Sequence, residues 1–459
     1  MDYDVIIVGT GLAGASTALS IDKDLKIALV TKKLFLDCNS RLAQGGICVC
    51  HGSTDRDVFI NDTMKAGHYK NDEEAVSIMV DESNSAIDSL IKWGVSFSKK
   101  GSDDFDYTKE GGHSISRILH CQDETGRFIM EALEKEVKQS ENITLLENKT
   151  VSNLLVEKNE CVGVICKDNT VLKADYVVLA TGGIGGIYKN TTNFKHISGD
   201  GIVMAIKNNV ELRDISYVQI HPTTLYEDID DRRFLISESV RGEGALLYNH
   251  KNKRFVDELL PRDIVSKAIF DEMHKENVSY EFLSMKPIGA KRIPVRFPMI
   301  YSELKKRNIN PIKEMIKIVP AHHYTMGGIK TNVNGKTSLN GLYAVGEVAN
   351  VGIHGENRLA SNSLLESVVF GKRVGKYINE KTAENSASNQ VSDKLSKKEQ
   401  KISKGDADKS DVLIPNDDII KNRSNDFNKE NDKALNIECE REIILRAIEE
   451  DKNAKKHCN

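Results

Sequence analysis

Gly9, Gly11 and Gly14 form a GxGxxG directly after the apolar run Val5-Ile6-Ile7-Val8 and before the small-residue segment Ala13 to Leu19. Glycines at this spacing allow a tight turn, close backbone approach and a helix N-terminus aimed at a pyrophosphate, so the chemistry expected is dinucleotide binding. A plain NAD fingerprint adds an acidic residue about 20 positions on. Here the second strand ends instead in Thr31-Lys32-Lys33. Two further glycine segments change the reading: Val177 to Gly183 is VVLATGG, and Gly341 to Glu347 is GLYAVGE, whose terminal carboxylate can accept from ribityl or ribose hydroxyls. Three such segments in this order point to FAD. Cys48, Cys50 and His51 lie close together, but CxCH within an apolar run reads as reduced strand cysteines, and no metal site is expected.

The elements that must position these residues follow from periodicity. Strands are expected over Val5 to Val8 and Lys26 to Thr31, with the intervening helix completing a βαβ unit. Helical spacing covers 71–93 and 126–139, and short strands follow at Ile143 to Leu146, Val151 to Val156, Cys161 to Cys166 and Tyr176 to Ala180. From 214 to 328 the chain changes to mixed helix and loop rich in His, Arg and Glu, then resumes a strand at 341–348 and a helix at 361–378. The expected class is therefore α/β. A Rossmann-like FAD-binding domain (1–213 and 329–379) is interrupted by an inserted α+β capping domain (214–328). A reduced C-terminal segment (380–459) follows, with linker or disorder over 380–410. Leu435, Cys439, Ile443, Ala447 and Ile448 then share one face of a terminal helix within 431–450. The 459 residues carry 64 basic and 68 acidic side chains, which argues against a globally basic nucleic-acid binder. Eight sparse cysteines, no basic leader and no long apolar run make a reducing, cytoplasmic setting without a membrane span the expectation.

Longer motifs carry a specific resemblance. NSRLAQGGI (39–47), EGGHSISRILHCQDETG (110–126), GDG (199–201), QIHPTT (219–224), SESVRGEG (237–244), PRDIV (261–265), VPAHHYTMGG (319–328) and HGENRLASNSLLE (354–366) span most of residues 1–378. Together they resemble the succinate dehydrogenase/fumarate reductase flavoprotein superfamily and, within it, the branch that oxidises L-aspartate. Asn39 stands where membrane-complex relatives carry the histidine that binds FAD covalently, so the resemblance implies non-covalent FAD. It implies that Gly9, Thr10, Gly11, Leu12, Ala13 and Gly14 hold the nucleotide, with Lys32 and Asp200. Asn39, Ser40, Ala43, Gln44, Gly45 and Gly46, then Glu347, Ser363 and Leu364, complete that set.

The resemblance also assigns a dicarboxylate clamp to Gln219, His221, Ser237, His323 and Arg358, with His221 and His323 counted among the catalytic groups. His323 takes the role over His322 because the family pattern fixes it before Tyr324-Thr325. Arg262 matches the superfamily's proton-transfer arginine, with Glu238 as its relay partner; an arginine in that role needs burial, neighbouring cations and a relay. Glu110 matches the glutamate that faces the substrate amine, where a carboxylate favours aspartate over succinate. The implied reaction is oxidation of L-aspartate to iminoaspartate by hydride transfer to flavin N5. O2, giving H2O2, or fumarate accepts the electrons, and quinolinate synthase takes the imine in NAD biosynthesis. The alternatives are a soluble fumarate reductase, against which Glu110 and Asn39 argue, and a flavoprotein binding module, against which His221, Arg262, His323 and Arg358 argue. Relatives end in a three-helix domain, which the roughly 80 residues after the second FAD segment reduce or omit.

Overall fold

The structure, a computed structural model, describes residues 2–101, 104–229, 231–400 and 431–457. Its centre is a five-stranded parallel sheet in the order Leu342–Ala344, Tyr176–Leu179, Val5–Val8, Ile27–Val30, Ile143–Leu146. These strands are short apolar runs because both faces of the sheet are covered. Every residue of Val5–Val8 is buried, with Val5 opposite both Tyr176 and Ile27. One face packs on the helix Leu12–Ala18 and the long helix that begins at Asn362. Gly371 and Gly375 let these two approach closely: a Cβ on either would come within about 3 Å of Ala13 O or Thr17 O. The other face packs on the antiparallel strands Val151–Glu157, Glu160–Cys166 and Val171–Lys173, the helix Asp200–Lys207, and Ile444 and Ile448 of the terminal helix.

A separate core forms under a four-stranded antiparallel sheet, Val218–Leu225, Ile316–Thr325, Glu281–Ser284 and Leu246–Tyr248, backed by helices Arg262–Glu276 and Pro298–Lys306. The sequence suggests helix and loop here, because the strand Val218–Leu225 buries polar residues and hides its period. Pro222 also interrupts it. The ladder shifts register between His221 and Thr224, as expected where a residue without an N–H enters a strand.

Three other expectations change. The helix Gly52–Ala66 was not foreseen, since its buried positions include Asp55, Asp62 and Thr63 as well as Phe59. The single helix expected over 71–93 is two, Glu73–Asp81 and Ser83–Lys92, broken where buried Ser83 donates to Val80 O and accepts from Cys50 N. The helix from Asn362 continues to Gln400 where a linker was expected over 380–410, and the rest of that stretch lies within 401–430, outside the described residues. The terminal helix runs Asn431–His457; the side chains of Leu435 and Cys439 lie outside the described set. Cys48 lies in a strand, Cys50 beyond its end, and no metal-binding group occurs among the described residues. No described helix is long and apolar enough to cross a membrane.

Candidate active site

The carboxyl ends of the parallel strands open into a cleft of about 590 Å³ that continues beneath the four-stranded sheet. Its first half is a glycine cradle. Gly9 sits at φ +113 with Ala180 O only 2.2 Å from where a Cβ would be, so only glycine fits. Gly11 differs: a Cβ there would meet nothing closer than Ser40 Oγ at 3.4 Å, so this position faces open cleft. Ser40 Oγ accepts from Leu12 N (3.0 Å) and Thr10 Oγ1 donates to Phe35 O (3.1 Å), which fix the turn. Lys32 Nζ meets Asp200 Oδ2 at 2.6 Å on the rim.

Further along, Gln44 Nε2 donates to Leu235 O (2.8 Å), and Asn39 Oδ1 accepts from Phe194 N (3.0 Å). Gln44 Oε1, Asn39 Nδ2 and Thr181 Oγ1 are buried without a hydrogen-bond partner among the described residues, and all three residues line the cleft. Buried polar atoms without partners mark places where a ligand is to be received. Glu347 Oε1 accepts from Thr325 N (3.0 Å), and burial pushes its carboxyl up to about 7. Ser363 and Leu364 occupy the first turn of the helix from Asn362, whose N-terminal dipole faces the cleft and favours negative charge there. A long cradle with glycine approach, two amides each with one unpartnered buried atom and a helix N-terminus fits FAD.

The second half gathers charge. Arg262 opens the helix Arg262–Glu276, placing its Nε against Glu238 Oε2 in a very short contact and its Nη1 on Gln219 Oε1 at 2.9 Å. Burial works to raise the Glu238 carboxyl, but Arg262 and Arg241 hold it below its ordinary value. Arg358 donates to Ser363 Oγ (2.9 Å) and lies 4.7 Å over the Tyr324 ring; burial and then Arg262 push it down to about 10. Its Nε has no partner among the described residues.

His221 Nδ1 accepts from Thr223 N (3.1 Å), so the neutral ring carries its proton on Nε2, which is buried and without a partner among the described residues. Burial, with Arg262 beside it, holds His221 well below its ordinary pKa, and burial does the same to His323. The two rings meet edge to face at 5.1 Å, and Thr192 Oγ1 lies 2.8 Å from His323 Nδ1. His322, its neighbour on the strand, points the other way and stacks on Tyr188. Ser237 Oγ caps the short helix Glu238–Gly242 while facing the cleft.

Glu110 is 4% exposed and accepts from Ser361 Oγ (2.7 Å); burial and then Glu238 raise its pKa. Two glycines make room for the carboxylates. A Cβ on Gly45 would lie 2.3 Å from Glu110 Oε1, and one on Gly111 2.4 Å from Glu238 Oε1. The loop carrying Glu110 is held by Arg117, which is fully buried and bonds Asp55 (2.8 Å) and Asp62 (2.6 Å) of the helix Gly52–Ala66. Arg117 also donates to His113 Nδ1, leaving Nε2 to donate to Ala360 O (3.0 Å).

Nearly all residues anticipated for the cofactor and substrate line this cleft, including Ala13, Ala43, Gly46, Asp200 and Leu364. Two do not. Gly14 faces away: a Cβ there would lie 2.0 Å from Gly9 O, so it serves helix–strand packing rather than ligand contact. Gln219 stands behind the lining, joining Arg262 to Arg358 O (2.7 Å). Sequence reasoning missed Arg241, which lies 3.7 Å from Glu238 at i, i+3 spacing and was signalled by its place in the same SESVRGEG segment. It also missed Thr192, for which no motif exists, and Ser361, which lies within a quoted motif at φ +63.

The comparisons place the chain in a family. The FAD binding domain family matches residues 4–364. The chain is 47% identical over 380 residues to L-aspartate oxidase of Clostridium acetobutylicum, covering 82% of this chain and 88% of that one. It is likewise 47% identical to that of Clostridium perfringens (82% and 86%). Among solved structures, a mutated FrdA of E. coli quinol fumarate reductase superposes with TM-score 0.79 at 31% identity, covering 86% of this chain and 74% of that one. An open flavocytochrome c3 fumarate reductase gives 0.67 at 26% (82% and 78%).

Proposed function

Because the chain belongs to the L-aspartate oxidase family of FAD-binding proteins, we infer that its cleft oxidises L-aspartate to iminoaspartate, with O2 or fumarate taking the electrons. This is the first step of de novo NAD biosynthesis. The observation that carries the reading is one cleft joining a dinucleotide cradle to His221, His323, Arg262 and Arg358 with a buried carboxylate, Glu110, among them. When bound, FAD supplies the acceptor for the Cα hydrogen, which leaves as hydride while one proton leaves the ammonium nitrogen.

The chain's own residues do the rest. Arg358 and the Nε2–H of His221, both with unused donors, hold the two carboxylates with His323 and Ser237, fixing Cα in one orientation. Glu110 takes the ammonium group, and its raised pKa suits it to receive the nitrogen's proton. Arg262 and Glu238, with Arg241 behind them, form a buried proton relay; its use is clearest when fumarate is the acceptor, since that molecule needs a proton as well as a hydride. Fumarate reduction is thus the same clamp running in reverse. Gln219 keeps Arg262 and Arg358 in register.

The segment 214–328 acts as a cap, supported by Asp123, which accepts from Met299 N and Ile300 N across the cleft. Iminoaspartate hydrolyses in water, so transient contact with quinolinate synthase would limit its loss. A cytoplasmic setting belongs to the same proposal and suits the six cysteines that are buried as unpaired thiols among the described residues. The test is product balance: aerobic incubation with L-aspartate should give equal amounts of H2O2, ammonia and oxaloacetate. Peroxide from succinate but none from L-aspartate would overturn the reading. Gly11→Val, whose side chain enters the cleft without displacing backbone, should abolish FAD binding in a folded protein.

A further inference from the structure

No described residue of the terminal helix Asn431–His457 lines the cleft, yet the helix touches the structures that hold both of its halves. Ile444 is fully buried and fills the space beside Gly199, where a Cβ would lie 2.5 Å from its Cδ1. Gly199, at φ +92, immediately precedes Asp200, the residue that takes Lys32 on the cofactor rim and accepts from Ser198 Oγ at 2.9 Å. Glu440, one turn earlier, lies near enough to Asp200 and Lys32 to join their charge network.

Two turns beyond Ile444, Asp451 accepts from both the N (3.1 Å) and Oγ (2.5 Å) of Ser216. Lys455 bonds Asp214 (2.8 Å) and Asp451 (2.9 Å) and sits 3.5 Å over the Tyr217 ring. The segment Asp214–Tyr217 is where the chain leaves the parallel-sheet layer for the strand that carries His221. The returning chain crosses at the same point, since Met326 N and Gly327 N both donate to Tyr217 O. Tyr217 Oη in turn donates to Glu356 Oε1 (3.1 Å), two residues before Arg358.

We propose that the terminal helix is an intramolecular clamp on the bound nucleotide: by fastening the Gly199–Asp200 wall to the Asp214–Tyr217 joint it sets how tightly FAD is retained. A helix in which about half the residues are charged gains most of its stability from tertiary packing, so its order comes from these anchors. Linkage then makes the effect reciprocal, with docking of the helix retaining FAD and FAD holding the helix down. The inference rests on reading the cleft as the FAD site.

The experiment titrates full-length apoprotein with FAD, following flavin fluorescence, for wild type, Ile444→Asp, the pair Asp451→Asn with Lys455→Met, and Gly11→Val. Ile444→Asp and the paired variant should each weaken FAD about five- to tenfold, with turnover on L-aspartate at saturating FAD within about twofold of wild type. Backbone amides of 440–455 should also be slowed by FAD in wild type by a larger factor than those of the strand Glu281–Ser284, whereas a merely structural helix would gain only the protection that FAD gives the whole fold. Should Ile444→Asp fail to fold, the paired variant and the exchange comparison decide alone. Wild-type FAD affinity in the folded clamp variants, with affinity lost in Gly11→Val, overturns the clamp and leaves the cleft assignment standing. Wild-type affinity in Gly11→Val overturns the cleft assignment itself.

Discussion

Replacing Glu110 by Gln isolates the contact that separates an amino-acid oxidase from a dicarboxylate reductase. The substitution keeps volume and an oxygen for Ser361 Oγ, so the loop should hold its shape. An ammonium about 4 Å from this carboxylate, at an effective dielectric constant near 20, gains about 4 kcal/mol. Part of that is offset by desolvation of the ammonium and by the loss, in the variant, of repulsion from Glu238. A net cost of about 2–3 kcal/mol remains, in the range of hydrogen bonds to charged groups. That is a rise of about 30- to 150-fold in the KM for L-aspartate. Succinate and fumarate lack the amine and should bind within about threefold of wild type, or slightly more tightly. The assay pairs anaerobic flavin reduction by L-aspartate with the spectral shift on titrating succinate. Equal weakening of aspartate and succinate would refute an ammonium contact. The same residue sets a pH dependence. Its pKa is raised, so the carboxylate is lost as pH falls through that raised value, and the apparent affinity for aspartate should fall in wild type but stay flatter in Glu110→Gln.

Arg262→Leu should keep yellow flavin and dicarboxylate binding but lower turnover about a hundred- to ten-thousandfold, the range of a lost general acid or base; near wild-type turnover would remove Arg262 from the relay. Arg117→Met should cost about 3–5 kcal/mol in urea unfolding, because Asp55 and Asp62 are left buried without their cation; a cost below about 1 kcal/mol would contradict that account. Glu281 is fully buried with both carboxylate oxygens lacking partners among the described residues, and burial pushes it up to about 7 from 4.5. Its protonated form is therefore favoured in the fold, and stability falls as pH rises from about 4.5 through about 7, by at most about 3 kcal/mol. Glu281→Gln should gain stability at pH 8 relative to wild type and little at pH 5; an equal effect at both would refute the titration.

Much of the cofactor half was legible because backbone geometry writes itself into glycine: Gly9 and Gly11 sit where a turn and an open approach require them. Gly14 shows the limit, since the same fingerprint serves packing as well as contact. Parallel strands such as Val5–Val8 were legible as apolar runs because both faces are buried. The helix Gly52–Ala66 was not, because Asp55 and Asp62 are buried by pairing with Arg117, and a buried ion pair looks polar in sequence. The strand Val218–Leu225 was hidden for a related reason: Gln219, His221, Thr223 and Thr224 are buried for function or hydrogen bonding, and Pro222 breaks the ladder. Glu110, Glu238, Arg262 and Arg358 were singled out through motif resemblance and line one cleft, whereas Thr192 meets His323 only through the fold and left no local signal. The terminal helix was foreseen, but its anchors on Ser216 and Asp214 depend on contacts more than 200 positions apart in the chain.

Whether this cleft oxidises L-aspartate is decided by anaerobic mixing of the purified holoprotein with L-aspartate, with D-aspartate and succinate as controls, followed by addition of fumarate or air. L-aspartate alone should bleach the flavin spectrum, and either acceptor should restore the oxidised spectrum. An unbleached flavin with L-aspartate, in protein whose chemically reduced form is still oxidised by fumarate, would contradict L-aspartate oxidation and leave a fumarate reductase.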